Sequence, residues 1–197
     1  MPHWLPALDG VVEKLTKGGR AADIGCGHGH STVVMAQAFP QSVFYGIDPH
    51  PSSVAAAREN AREAGVADRV QFTAHTAKTF AGRDLDLVCF FDCLHDLGDP
   101  VGAAIQARKA LAHDGTVLVV EPLARDRVED NINPVSQIYY CASTALCCAH
   151  SLSEEVGLAL GAQAGEARLK AVFEEAGFTR FRKVMETPFN LILEVRN

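Results

Sequence analysis

The chain has no run of about eighteen apolar residues, the length a membrane-spanning helix needs, so no membrane partner is expected. It has no surplus of positive charge: 18 Lys and Arg face 24 Asp and Glu, for a formal net charge of -6. That balance argues against sequence-independent nucleic-acid binding, which depends on lysine and arginine neutralising phosphates. The six cysteines contain no C-x-x-C pair and no zinc-type spacing with histidine, so neither a disulfide framework nor a metal site is expected. They read as reduced and mostly buried, since free cysteine behaves as a small hydrophobe. The first ten residues, MPHWLPALDG, lack a basic segment followed by an apolar one, and the expected location is cytoplasmic. At 197 residues and 48% hydrophobic, the chain reads as one domain over 1–197 with ample core-forming material.

What the chain does have is concentrated in residues 20–32, RAADIGCGHGHST. Ala21, Ala22 and Ile24 have the small or apolar character of a short strand covered on both faces. Gly25, Gly27 and Gly29, with Cys26 among them, then break it. Alternate glycines let the backbone take positive φ and leave main-chain N–H groups open to a ligand. A helix is expected to begin near Ser31 or Thr32, its free N–H groups favouring a negatively charged ligand group. The dinucleotide fingerprint G-x-G-x-x-G would need a glycine where His30 stands, and Asp23 adds a carboxylate suited to a ligand ammonium. Both features favour a zwitterionic ligand over a pyrophosphate and leave a nicotinamide-dependent oxidoreductase as the lesser alternative.

Helical spacing of Leu8, Val11, Val12 and Leu15 predicts a lead helix over 6–17. Beyond the glycine turn, a helix stopped by Pro40 leads into a strand over 42–47 that ends in Asp48, nineteen residues after Gly29. A doubly wound sheet places such a carboxylate beside the ribose of a nucleoside ligand; Pro49 follows, and a helix is expected over 51–64. A third strand at 70–74 runs into a polar turn, and a fourth at 86–91 is continuously apolar. It leads into Asp92-Cys93-Leu94-His95-Asp96, and Asp99 caps the next helix. A fifth strand is expected at 116–121. Strand and helix thus alternate five times, the mark of a parallel sheet with helices on both faces. A helix at 168–176 and strands at 178–185 and 188–195 complete the pattern, the last two forming an edge hairpin whose final strand is antiparallel.

Residues 125–165 break this rhythm. About forty residues stand where a crossover needs far fewer, at the carboxyl edge where specificity resides in such folds. A helix over 134–150 is expected to present Tyr139, Tyr140 and Ser143 to a pocket, with Asn133 just before it.

Asp23 to Gly29 (D-x-G-C-G-x-G), Asp48 and the segment after strand four resemble the motifs of class I S-adenosylmethionine (SAM) dependent methyltransferases over essentially the full length. The resemblance implies a Rossmann-like, doubly wound, seven-stranded α/β sheet, mostly parallel with an antiparallel C-terminal hairpin strand. It implies SAM as cofactor, S-adenosyl-L-homocysteine (SAH) as product, and a small-molecule acceptor. It also implies adenine contacts at Thr76 and Ala77, and a strand end at Phe91 and Asp92 that faces the transferable methyl group. Phe91 to Pro100, Asn133-Pro134 and the run ALGAQAGE at 159–166 resemble more closely the catalytic half of a bacterial group in which a winged-helix-like dimerising domain precedes the methyltransferase domain. The chain then reads as a catalytic domain or a stand-alone relative, and the group's homodimer is not expected without that domain. Where the acceptor must lose a proton, His95 is the first candidate for the base by residue type and position, followed by Asp92 and Tyr140. A SAM-binding regulator without turnover is the main alternative.

Overall fold

Seven strands form one sheet in the order β3-β2-β1-β4-β5-β7-β6 in the computed structural model, which describes residues 3–197. The strands are β1 (Arg20–Ile24), β2 (Val43–Asp48), β3 (Val70–Ala74), β4 (Leu85–Phe91), β5 (Leu111–Pro122), β6 (Arg180–Glu186) and β7 (Asn190–Arg196). The first five pair in parallel; β7 is antiparallel to both β5 and β6. The expected fold class is therefore the observed one. The order reverses between β1 and β4, which makes the crevice above their carboxyl ends the topological switch point.

Helices α1 (Val11–Thr16), α2 (His30–Ala38) and α3 (Pro51–Glu63) cover one face, and α4 (Pro100–Ala110) and α7 (Gly165–Glu175) the other. Continuous apolar sequence suits β4 to a position buried on both sides, and Leu87, Val88, Cys89 and Phe90 are fully buried. On α3, Val54, Ala57 and Ala61 recur at helical spacing and turn inward. On α4, Ala103, Ala104, Ala107 and Ala110 form a small-residue face against the sheet. Phe173 of α7 meets Phe178 edge to face at 5.6 Å, just past the helix end. Burying a side chain such as Phe90 or Phe44 contributes about 1.5–3 kcal/mol.

Several expected boundaries shift for local reasons. The lead helix is a 3-10 turn at Leu5–Ala7 followed by the shorter α1, because Leu8 is extended and Gly10 takes φ +71°. Strand β5 begins at Leu111 rather than 116: Leu111 pairs with Leu85, and the register then jumps to Leu87 opposite Thr116, so residues 112–115 bulge out. Strand β7 lies inside the sheet and leaves β6 as the edge. The insertion holds a 3-10 turn (Val128–Asn131), α5 (Pro134–Ala142), a π-helical turn (Ser143–Cys147) and α6 (Cys148–Ser153). The expected helix over 134–150 is thus present with a π turn in its middle. Asn133 caps it, its side chain accepting from Ser136 N–H at 3.0 Å.

No helix among the described residues is long and apolar enough to cross a membrane.

Candidate active site

The glycine turn closes β1 against the start of α2. Gly25, Gly27 and Gly29 have φ of +69°, +52° and +76°, the left-handed region that glycine enters without a Cβ clash. Their reasons differ. A Cβ on Gly29 would stand 2.6 Å from the Phe72 ring, and one on Gly25 2.9 Å from Cys93, so packing excludes side chains there. A Cβ on Gly27 would meet nothing within 4 Å; the space above this residue is open.

Asp48, at the end of β2, is buried and accepts hydrogen bonds from Gly27 N–H and His50 N–H, both at 3.0 Å. A carboxylate has about four acceptor positions, so two remain. Asp23 faces the first turn of α2, where the Ser31 and Thr32 hydroxyls donate to its Oδ2. Its Oδ1 is buried with no partner among the described residues. Burial pushes the carboxyl up to about 6 against the pull of Ser31 and Thr32.

Beside the turn lies a cavity of about 310 Å³ whose walls include Gly25, Ile47, Pro49, Thr76, Ala77 and Leu97. Glu154, Glu155 and Val156 close one side. This strap comes from the insertion, and sequence reasoning did not place it there. It is tied down by Glu154 Oε2, which accepts from Gly98 N–H at 2.7 Å, and by Leu158 N–H, which donates to Gly98 O. Lys78 bridges Asp99 and Glu155 at 3.1 and 3.6 Å. A larger depression of about 470 Å³ runs along edge strand β6, but it is walled by ion pairs such as Arg182–Glu194 and lies away from the parallel strand ends.

Past β4, Asp92 has φ +54°, uncommon for a residue with a side chain and frequent at functional sites. Its carboxyl is exposed, yet partial desolvation raises it while His95 pulls it down. His95 sits on a 3-10 turn (Leu94–Asp96) and is 4% exposed. Its Nδ1 is hydrogen-bonded to Glu121 Oε2 at the end of β5, and Glu121 Oε1 accepts from Leu94 N–H at 2.9 Å. Burial works against a charged ring, but Glu121, Asp96 and Asp92 together outweigh it and lift His95 to about 9. Glu121 is the residue the sequence reading passed over. Its position at the carboxyl end of a parallel strand was the available signal.

The structure brings the remaining candidates together only in part. Gly25, Pro49, Thr76 and Ala77 line the cavity; Cys26, Gly27 and Gly29 form the turn beside it, and Asp48 stands between Ile47 and Pro49. Phe91 packs on Trp4 at 6.3 Å between ring centroids. Tyr139 donates to Phe189 O at 3.1 Å, and Tyr140 is half-buried. Ser143 is buried and accepts from Ala162 N–H; it pins the helix inward. Asn133 is spent on its capping bond.

The model of a family described as a methyltransferase domain matches residues 15–177. Among solved structures, the chain is similar to the mitomycin 7-O-methyltransferase MmcR, with TM-score 0.71 and 22% identity over 93% of this chain and 50% of that one. An O-methyltransferase family protein of Burkholderia thailandensis gives TM-score 0.71 and 19% identity over 92% and 52%. PigF, solved with SAH, gives TM-score 0.70 and 18% identity over 90% and 50%. The chain spans about half the length of these structures. No curated protein matches it. The likenesses at this identity establish the fold, and the family model covers most of the sequence: the chain belongs to the methyltransferase domain family.

Proposed function

We propose that the protein transfers the methyl group of SAM to a small-molecule acceptor, and that the His95–Glu121 pair receives the acceptor's proton. The observation that carries this reading is a buried histidine held by a buried carboxylate at the ends of β4 and β5, next to the glycine turn and the cavity.

The residues fit the cofactor. The open space above Gly27 admits a ligand against main-chain N–H groups, Asp48 keeps acceptor positions for two ribose hydroxyls, and Pro49, Thr76 and Ala77 wall a mostly apolar space for a base. The partnerless Asp23 Oδ1 suits an ammonium approaching the turn. When bound, SAM supplies an activated methyl carbon and a neutral thioether leaving group. The protein's task is then alignment, and holding a nucleophile in a near-attack pose supplies on the order of 7–11 kcal/mol. Glu121 fixes the orientation of the His95 ring through Nδ1. At neutral pH His95 already holds a proton, so it must release that proton before it can take one, and turnover rises with pH toward about 9. The insertion, with Tyr139 and Tyr140, is the wall that selects the acceptor. Six free thiols suit a reducing, cytoplasmic setting.

Calorimetry with SAM and SAH, followed by transfer of labelled methyl to a panel of hydroxylated and amine-bearing acceptors, tests this. Binding with turnover supports it; no SAM binding at millimolar concentration overturns it. Binding without turnover on any acceptor favours a regulatory module instead, and NADH is expected not to bind.

A further inference from the structure

We propose that His95, Asp96 and Cys147 form a binding site for a borderline-soft divalent cation, with Zn2+ as its natural class of occupant. One donor atom from each of the three lies within 4.8 Å of the other two. Nδ1 of His95 is committed to Glu121, which leaves Nε2, and Nε2 stands 3.3 Å from Asp96 Oδ1. A tetrahedral ion with bonds of about 2.0–2.1 Å sets its donors about 3.3 Å apart, so these two already have the required spacing. The Cys147 Sγ lies within 4.8 Å of both, against about 3.6 Å between a thiolate and an oxygen or nitrogen on one tetrahedral ion, so it needs to move by no more than about 1 Å. Asp96 Oδ1 is a buried atom that makes no well-aligned hydrogen bond, and its one charged contact, with His95 Nε2, is the one a metal bond would replace.

Three features make this more than a chance cluster. Nitrogen, oxygen and sulfur donors together select Zn2+ or its neighbours over Mg2+ and Ca2+. Glu121 on the far nitrogen of the ring supplies the carboxylate–histidine–metal arrangement that orients a ligand and raises its basicity. The π-helical turn ends on Cys147, and Ser151 ties the same helix to Leu97 O at 2.9 Å, which holds the thiol opposite the His95 turn. Three protein donors leave a fourth position open, as in zinc sites that take up water or substrate. The Asp96 side chain is 42% exposed, so the site is reachable from solvent.

The ion displaces the Nε2 proton and occupies the atom that receives the acceptor's proton, so a loaded site and methyl transfer exclude one another; the proposal is tested without cofactor or acceptor, and its failure leaves the methyl-transfer reading standing. The chelator-treated protein is titrated with Co2+, a visible stand-in for Zn2+. One equivalent is expected to bind with a thiolate-to-cobalt absorption band, which Zn2+ then abolishes by displacement. Cys147→Ser loses the band and weakens binding at least tenfold; Glu121→Gln weakens it about 10–100-fold. Cys148→Ser and Cys141→Ser keep both band and affinity. Absence of stoichiometric binding overturns the proposal. So does an unchanged band in Cys147→Ser, or its loss in either control variant. Cys147 is partly exposed, and circular dichroism of its serine variant checks that the fold is kept.

Discussion

Replacing Glu121 with glutamine tests the heart of the site. Glutamine keeps the volume and still accepts from Leu94 N–H, but it removes the charge beside His95. In the native protein His95 rises from an ordinary 6.5 to about 9, a gap worth about 3 kcal/mol at about 1.4 kcal/mol per pH unit. The ring is almost wholly buried, so solvent screens little of it. A histidine raised in the folded state stabilises the protein fully below pH 6.5, and that contribution disappears as pH climbs through about 9. In Glu121→Gln, burial has lost its strongest opponent and His95 falls back toward 6.5. The margin of native over variant therefore shrinks by about 3 kcal/mol between pH 6 and 9.5, or about 6–12 °C in melting temperature for a chain of this length. Proton NMR of the imidazole Cε1–H, assigned among the eight histidines by its loss in His95→Gln, reads the same change directly. A native midpoint at or below 6.5, or one unmoved by the substitution, refutes the reasoning.

Three further outcomes are expected. Asp48→Ala removes the acceptor for Gly27 and His50 N–H and two charge-assisted bonds to a ribose, each about 1.5–3 kcal/mol; SAM binding by calorimetry falls at least tenfold, and unchanged affinity in a folded variant rules out the ribose role. Gly27→Val has room for its Cβ but strains the backbone at φ +52° by about 1–3 kcal/mol, so it lowers the melting temperature modestly and abolishes SAM binding in the folded variant, whereas Gly29→Val fails to fold against Phe72; retained binding in the former places the ligand elsewhere. Asp23→Asn raises the melting temperature of the ligand-free protein at pH 8, because the native carboxyl, at about 6 rather than 3.8, loses stability as pH rises through that window, and it weakens SAM binding; a lower melting temperature contradicts the burial argument.

Local pattern alone was enough for the β/α alternation, the glycine turn and the strand-end acids Asp23 and Asp48, because period, glycine placement and strand ends are properties of short stretches. The same locality explains the misplacements: the bulge before Thr116 is set by the pairing of β5 with β4, a partner outside the stretch being read, and the break at Gly10 by a positive φ that helical spacing does not register. Tertiary structure decided the partnerships. Glu121 is 26 residues from His95, and Cys147 is far from both in sequence, so no spacing rule links them. Only the parallel pairing of β4 with β5, and the folding back of the insertion, bring these groups within bonding reach. The three glycines read alike in sequence, yet packing against Cys93 and Phe72 separates the two that the fold requires from the one that leaves space for a ligand.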